Sequence, residues 1–95
     1  MTNFQPGTVS ARLGETTVQL RLSLAALMQI EDALGVSGME ALAAKFRTLT
    51  ATDLTAVLTA LLRAGGHEDA DALAQAAAPA EAAQAVLACF EANLK

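Results

Sequence analysis

The stretch VQLRLSLAALMQIEDALG, from Val18 to Gly35, decides the fold, because its hydrophobic period changes in the middle. Over residues 18–23 apolar and polar residues alternate, which is the pattern of a half-buried β-strand. From there on the apolar residues recur at helical spacing, and Gly35 can take the left-handed conformation that ends many helices. The sequence therefore predicts a strand that runs almost directly into a helix capped by Ser23. The predicted apolar stripe of that helix consists of Leu24, Leu27, Ile30 and Leu34.

A second strand is predicted just upstream, over Thr8 to Leu13, with the turn supplied by residues 14–17, Gly-Glu-Thr-Thr. The two strands would form a hairpin with one apolar face. Because a lone hairpin is marginally stable in water, we expect this face to pack on helices. The residues predicted to share the face are Val9, Ala11, Leu13, Val18, Leu20 and Leu22.

Two more helices are predicted after Gly35. Ser37 opens one of them, with Glu40 three residues later completing a capping box. The next begins after Thr50 or Thr52, and Asp53 lies in its first turn, where a negative charge suits the helix dipole. The predicted apolar stripes are Met39, Leu42, Ala43 and Phe46 on the first, and Leu54, Val57, Leu58, Leu61 and Leu62 on the second, which ends near Arg63.

The chain after this point is predicted to hold two final helices. The pair Gly65–Gly66 breaks the chain, and Asp69 can cap a short helix that runs to about Ala77. Pro79 suits the first turn of the last helix, because its missing N–H would have no partner there. The predicted stripe of the last helix is Ala83, Val86, Leu87, Phe90 and Leu94.

Length and composition agree with one small, mainly helical domain. The 95 residues are 54% hydrophobic, but 23 of them are alanine, which buries little area and favours helix. We therefore predict a single domain over 1–95, with a hairpin at 8–23 and a helical part at 24–95. The fold class is α+β, mainly α, with the N-terminal hairpin packed on about five short helices.

Charge and hydropathy narrow the function classes. The acidic and basic residues balance over 1–63, so the net charge of −4 lies within 64–95. An acidic chain without a basic patch is poorly suited to nucleic acid. The apolar runs are too short to cross a bilayer, and the first residues do not resemble a signal peptide. With a single cysteine there is no internal disulfide. We expect a cytoplasmic protein without a membrane partner.

The sequence offers little for catalysis. His67 is the single histidine and lies in an acidic glycine-rich turn, and Cys89 has no neighbouring cation that would activate it. We interpret His67 as a loop or capping residue and Cys89 as a half-buried packing residue. Glu31 lies at the edge of an apolar stripe, and Arg21 or Arg12 is its expected ionic partner. No enzyme, cofactor or metal is predicted.

The second and third helices could resemble a helix-turn-helix, joined near residues 49–52. The would-be recognition helix, DLTAVLTALLR, offers Asp53, Thr55 and Thr59 at its exposed side and has its one arginine at the far end. Base reading favours Arg, Lys, Asn or Gln near the start of such a helix. DNA binding is therefore disfavoured.

Three blocks, in order, resemble a known family. They are GTVSARLGETTVQLRL at 7–22, LSLAALMQIEDALGV at 22–36 and TATDLTAVLTALLRAGGHE at 50–68. The chain is similar to the tail-assembly-chaperone-like proteins of gene transfer agent and related tailed-phage clusters. The resemblance implies a non-enzymatic protein that binds the tape measure protein during tail morphogenesis and keeps its apolar helices soluble. The resemblance leaves two points open. One is whether tail tube subunits are a further partner, and the other is whether the chain self-associates.

A groove for an apolar helix would suit such a chaperone. The residues predicted to contact the partner are Met28, Glu31, Met39, Phe46 and Arg21. The alternative function is a small helical adaptor or regulatory protein that binds another protein partner. Neighbouring genes for a tail protein and a tape measure protein would favour the chaperone.

Overall fold

A computed structural model describes residues 8–93 and confirms the predicted class, an N-terminal antiparallel hairpin followed by five helices. The strands are β1, Thr8–Leu13, and β2, Thr16–Arg21. A short 3₁₀ turn, Phe46–Thr48, follows the second helix. The helices are α1, Leu24–Leu34; α2, Met39–Lys45; α3, Ala51–Ala64; α4, Ala70–Ala76; and α5, Pro79–Asn93. The predicted contribution of Leu94 to the last stripe lies outside the described residues.

The hairpin has a tighter turn than the sequence suggested. Leu13 pairs with Thr16, so the turn consists of Gly14 and Glu15 alone, and β2 begins and ends two residues earlier than predicted. Gly14 has a φ of 67°, which glycine adopts at no steric cost at the first central position of a type II′ turn. The predicted pairing of faces is confirmed, with Val9 opposite Leu20 and Ala11 opposite Val18.

Helix α3 is the centre of the core. It packs against α1, α4, α5 and β2, and its residues Val57, Leu58, Leu61 and Leu62 are completely buried, as predicted. Burial of each of these side chains stabilises the fold by about 1.5–3 kcal/mol. The hairpin covers α3 on one side through the apolar face of β2, and β1 packs against α5.

The predicted caps of α1 and α3 form from residues that are close in the sequence. Ser23 accepts a hydrogen bond from the Ala26 N–H and caps α1, and Gly35 ends this helix with a φ of 70°. At α3 the side chain of Thr50 accepts from the Asp53 N–H, and the Asp53 carboxylate accepts from the Thr50 N–H. Both pairings satisfy backbone donors that a helix N-terminus leaves free.

Two other caps are corrected by the structure. Ser37 does not open α2; the N-cap is Gly38, whose N–H donates instead to the carboxylate of Glu31 at 2.9 Å. Asp69 occupies the N-cap position of α4, but its side chain makes no capping hydrogen bond. In the first case a partner from α1 replaces the local one, so the predicted capping box does not form.

Two predicted stripes are rotated relative to the real core. On α1 the buried residues are Ala26, Ile30 and Leu34, whereas Leu24 is 80% exposed. On α5 the buried face consists of Ala82, Ala85, Val86, Cys89 and Phe90. Leu87, predicted to be in the core, is 54% exposed. The small alanines face the core because they allow the helices to approach closely, and larger neighbours are left outside.

Candidate partner-binding surface

An apolar cleft of about 350 Å³ opens between α2, the 3₁₀ turn and α5. Its volume is at the lower end of the range of ligand-binding pockets, and a few side chains of a partner would fill it. Glu40 is its one charged lining residue among those that the structure describes. The lining residues are Met39, Glu40, Leu42, Ala43, Phe46 and Phe90.

The cleft exists because α2 stops early. The helix ends at Lys45, and the 3₁₀ turn that follows directs Phe46 toward α5. The ring of Phe46 meets that of Phe90 edge to face, with centroids 4.7 Å apart and planes at 75°. Such aromatic pairs contribute about 0.5–1.5 kcal/mol beyond their buried area. The pair therefore forms a firm wall, while completely buried Leu42 forms the base.

The exposed flank of α5 extends this apolar surface. Ala83, Leu87 and Phe90 are spaced four and three residues apart, so their side chains lie along one flank of the helix. Phe90 lines the cleft, and Leu87 beside it is largely exposed. The stripe that the sequence indicated on α5 is thus real, but part of it faces outward beside the cleft.

Two of the predicted contact residues come together in the cleft. Met39, at the start of α2, is 41% exposed. Phe46 follows the end of α2 and lines the same wall of the cleft. Phe90 was predicted as a core residue, not as a contact, although its place in the α5 stripe was visible in the sequence. The cleft could not be found from spacing because its two walls come from distant segments.

The other predicted contacts lie outside the cleft. Met28 is 67% exposed on α1, four residues after Leu24, which is 80% exposed, so the two form a separate apolar pair. Arg21 is half-buried at the end of β2. Their role in binding remains a prediction.

Glu31 has a positioning role that the sequence did not reveal. An ion pair with Arg21 or Arg12 was predicted. The ion pairs between described residues are instead Lys45–Asp53 at 3.7 Å and Arg63–Asp71 at 3.2 Å. The carboxylate of Glu31 accepts the Gly38 N–H, which fixes the first turn of α2 against α1. Glu31 therefore contributes to the shape of the cleft wall.

A second, more polar cleft of about 490 Å³ lies between α1 and α3. Thr55, one of its lining residues, donates its hydroxyl hydrogen to the Ala51 carbonyl at 2.8 Å, as threonine does within helices. The Arg63–Asp71 ion pair lies at its edge and is exposed to solvent. The apolar cleft is the better candidate for partner binding, because its lining offers an almost wholly apolar surface to a partner helix.

The histidine and the cysteine are both engaged in the fold. His67 lies in the loop between α3 and α4, and its Nε2 accepts a hydrogen bond from the Gln19 N–H. Burial raises the pKa of the Cys89 thiol to about 11, so the thiol stays protonated at neutral pH. Within residues 8–93 no group of three His, Cys, Asp or Glu side chains is placed to hold a metal ion.

A known protein family matches this chain. The family described as "Phage tail tube protein, GTA-gp10" matches residues 6–95, nearly the whole chain. No curated protein and no solved structure matches the chain significantly. Over the described residues, no helix has both the length and the apolar character needed to cross a membrane.

Proposed function

The chain belongs to the GTA-gp10 family of phage tail tube proteins, and from this premise we propose that it is a non-enzymatic tail assembly chaperone for the tape measure protein. Membership of the family gives it a role in the structure or assembly of a phage-like tail. Our proposal goes further and names the step of tail assembly in which the protein acts. In our proposal the protein acts in the cytoplasm and covers apolar helices of the tape measure protein before tail tube subunits polymerise around it.

The apolar cleft between α2 and α5 carries this proposal. A helix that docks in a groove inserts side chains spaced three, four and seven residues apart, and the groove must supply an apolar lining. The cleft offers such a lining, and Leu87 extends it along α5. A client helix of the tape measure protein would place one or two apolar side chains between Met39 and the Phe46–Phe90 pair.

The chemistry of the wall suits a client with variable sequence. Methionine is unbranched and flexible, so it adapts to different partner side chains. A chaperone that covers a long helical protein must bind many similar segments, and such binding favours an adaptable surface over a specific one. Met39 at the open side of the cleft fits that requirement.

The proposal is tested by co-expression with the tape measure protein from the same gene cluster. A tagged chain is purified, and both co-purification and the soluble fraction of the tape measure protein are measured. We expect the tape measure protein to be soluble and bound with this protein present, and insoluble without it. If it stays insoluble and unbound while this protein is folded, the chaperone proposal fails and the alternative, an adaptor for another protein, gains support.

Single substitutions locate the site within the same assay. Met39→Lys places a charge at the exposed side of the cleft, and Leu87→Lys places one beside it. Both are expected to weaken binding by about tenfold or more. Met28→Lys is the matched comparison, because it adds the same charge to an exposed apolar residue outside the cleft. Circular dichroism confirms that each variant is folded. If Met28→Lys weakens binding as much as Met39→Lys, the cleft is not the docking site.

A further inference from the structure

The hairpin has two outer edges, one on β1 and one on β2. They differ in whether their outward backbone N–H and C=O groups have hydrogen-bond partners. In an antiparallel pair joined by a two-residue turn, the residues flanking the turn form a hydrogen-bonded pair, and every second residue points its N–H and C=O away from the partner strand. With Leu13 opposite Thr16, the outward residues of β1 are Thr8, Ser10 and Arg12. Those of β2 are Thr17, Gln19 and Arg21.

The outer edge of β2 is closed by the chain itself. The N–H of Gln19 donates to Nε2 of His67 at 3.0 Å. This bond confirms that Gln19 points its N–H away from β1. Gly65 lies so close to the Gln19 carbonyl that a Cβ atom at that position would overlap it. The loop after α3 therefore occupies the place that another strand would need.

The outer edge of β1 is open. Within residues 8–93, the backbone N–H and C=O groups of Thr8, Ser10 and Arg12 have no hydrogen-bond partner. The side chains of Ser10 and Arg12 are exposed to solvent. The strand also lacks proline and bulges, two of the devices that prevent pairing at an edge, and Arg12 is its one charged residue.

The apolar face of the hairpin is also incomplete on this side. Val18 and Leu20 on β2 are completely buried, whereas their partners Ala11 and Val9 on β1 are half-buried. An added strand beside β1 would continue the sheet and cover the apolar groups that remain accessible. The backbone and the side chains thus both indicate a missing neighbour at the same edge.

We propose that β1 pairs antiparallel with β1 of a second copy of this chain, about a twofold axis at Ser10, and joins two hairpins into a four-stranded sheet. The strand is self-complementary in this register. Ser10 faces Ser10 of the second copy, and Arg12 faces Thr8, so no like charges lie opposite one another. Each facing pair exchanges two N–H···O bonds. The inference concerns the hairpin and is independent of the tape measure proposal.

Cysteine cross-linking of the full chain tests the register. The Cα atoms of a hydrogen-bonded antiparallel pair are about 5.5 Å apart, which a disulfide can bridge. Under air with copper phenanthroline as oxidant, Ser10→Cys is expected to give a covalent dimer that dithiothreitol reverses. Buried Cys89 is not expected to react.

Two control variants make this result specific. Arg12→Cys lies on the same edge, but in the proposed register the two copies of this position are offset by about 14 Å along the strands, given a rise of about 3.4 Å per residue. Thr17→Cys lies on the opposite, closed edge. Neither is expected to cross-link. Cross-linking of Ser10→Cys no stronger than that of these controls overturns the proposal.

Sedimentation of the unmodified chain provides the second test. We expect a concentration-dependent dimer that Ser10→Pro converts to monomer, because proline removes an outward N–H without affecting the hairpin bonds. Thr17→Pro makes the same change on the other edge and should stay dimeric. A chain that is monomeric at every concentration, or a Ser10→Pro variant as dimeric as the original, contradicts the proposal. A third outcome also contradicts the proposal. If the original chain is monomeric and Ser10→Pro reduces its binding to the tape measure protein, the edge of β1 binds the client and not a second copy.

Discussion

The imidazole of His67 accepts the backbone N–H of Gln19 at Nε2, at 3.0 Å, and this bond ties the loop after α3 to the outer edge of β2. The bond requires a neutral ring whose proton is on Nδ1. It satisfies a strand donor that points away from β1, and it places Gly65 directly against the Gln19 carbonyl. The single histidine of the chain therefore has a structural part in joining the hairpin to the helices.

Replacement of this histidine is the first prediction. His67→Ala leaves the Gln19 N–H without its protein partner and is expected to destabilise the fold by about 1 kcal/mol. His67→Gln offers an amide oxygen as acceptor and should recover part of the loss. Urea unfolding followed by circular dichroism measures both. An alanine variant as stable as the original chain would show that the bond contributes nothing.

Gly65→Ala is predicted to be strongly destabilising. The new Cβ atom would lie 2.7 Å from the Gln19 carbonyl carbon and overlap the carbonyl oxygen, and neither backbone atom can move away cheaply. We expect a loss of about 2–4 kcal/mol in the free energy of unfolding. Thermal denaturation provides the measurement.

Gly35→Ala is the matched control for this substitution. Its φ is 70° and no atom lies within 4 Å of the added Cβ, so only backbone strain arises. We expect a smaller loss of about 1 kcal/mol. Equal losses at the two positions would mean that the close approach of Gly65 to β2 is not the dominant effect.

The two hydroxyl residues predicted to cap α2 and α3 should respond differently to the loss of their hydroxyl groups. Thr50→Ala removes the acceptor for the Asp53 N–H and is expected to cost about 1 kcal/mol. Ser37→Ala should change stability by much less, because Gly38 and not Ser37 is the N-cap of α2. Chemical denaturation of both variants decides the matter. A larger effect at Ser37 would mean that the cap of α2 is assigned wrongly.

The thiol of Cys89 is predicted to be unreactive in the folded chain. Burial raises its pKa from 9.0 to about 11, and the thiolate is the form that reacts. Labelling with iodoacetamide at pH 8 should be slow in the native protein and fast in denaturant. Rapid labelling of the folded chain would contradict the burial of this side chain.

The same shift predicts a pH dependence of stability. As the pH rises from about 9 toward 11, the thiol of the unfolded chain ionises while that of the folded chain keeps its proton. The unfolded state is thereby favoured, so the free energy of unfolding falls over this range. A Cys89→Ala variant should lack this part of the decline. Parallel curves for the two proteins would refute the prediction.

Short segments of the sequence determined several elements by themselves. The bounds of β1 and α1, the Ser23 and Gly35 caps, Thr50 as one of two candidate caps of α3, and Pro79 in the first turn of α5 were predicted. The helix caps and ends among these depend on hydrogen bonds or dihedral preferences among residues no more than four positions apart. The free energy that selects them is therefore encoded locally.

Other features were decided only by the tertiary structure. Helical spacing allowed either flank of α1 to face the core, and packing against α3 selected the flank with Ala26 and left Leu24 in solvent. A carboxylate from α1 replaced the local cap of α2. The cleft depends on contact between Phe46 and Phe90, from two separate segments. Such contacts depend on how closely whole helices approach, which periodicity alone does not specify.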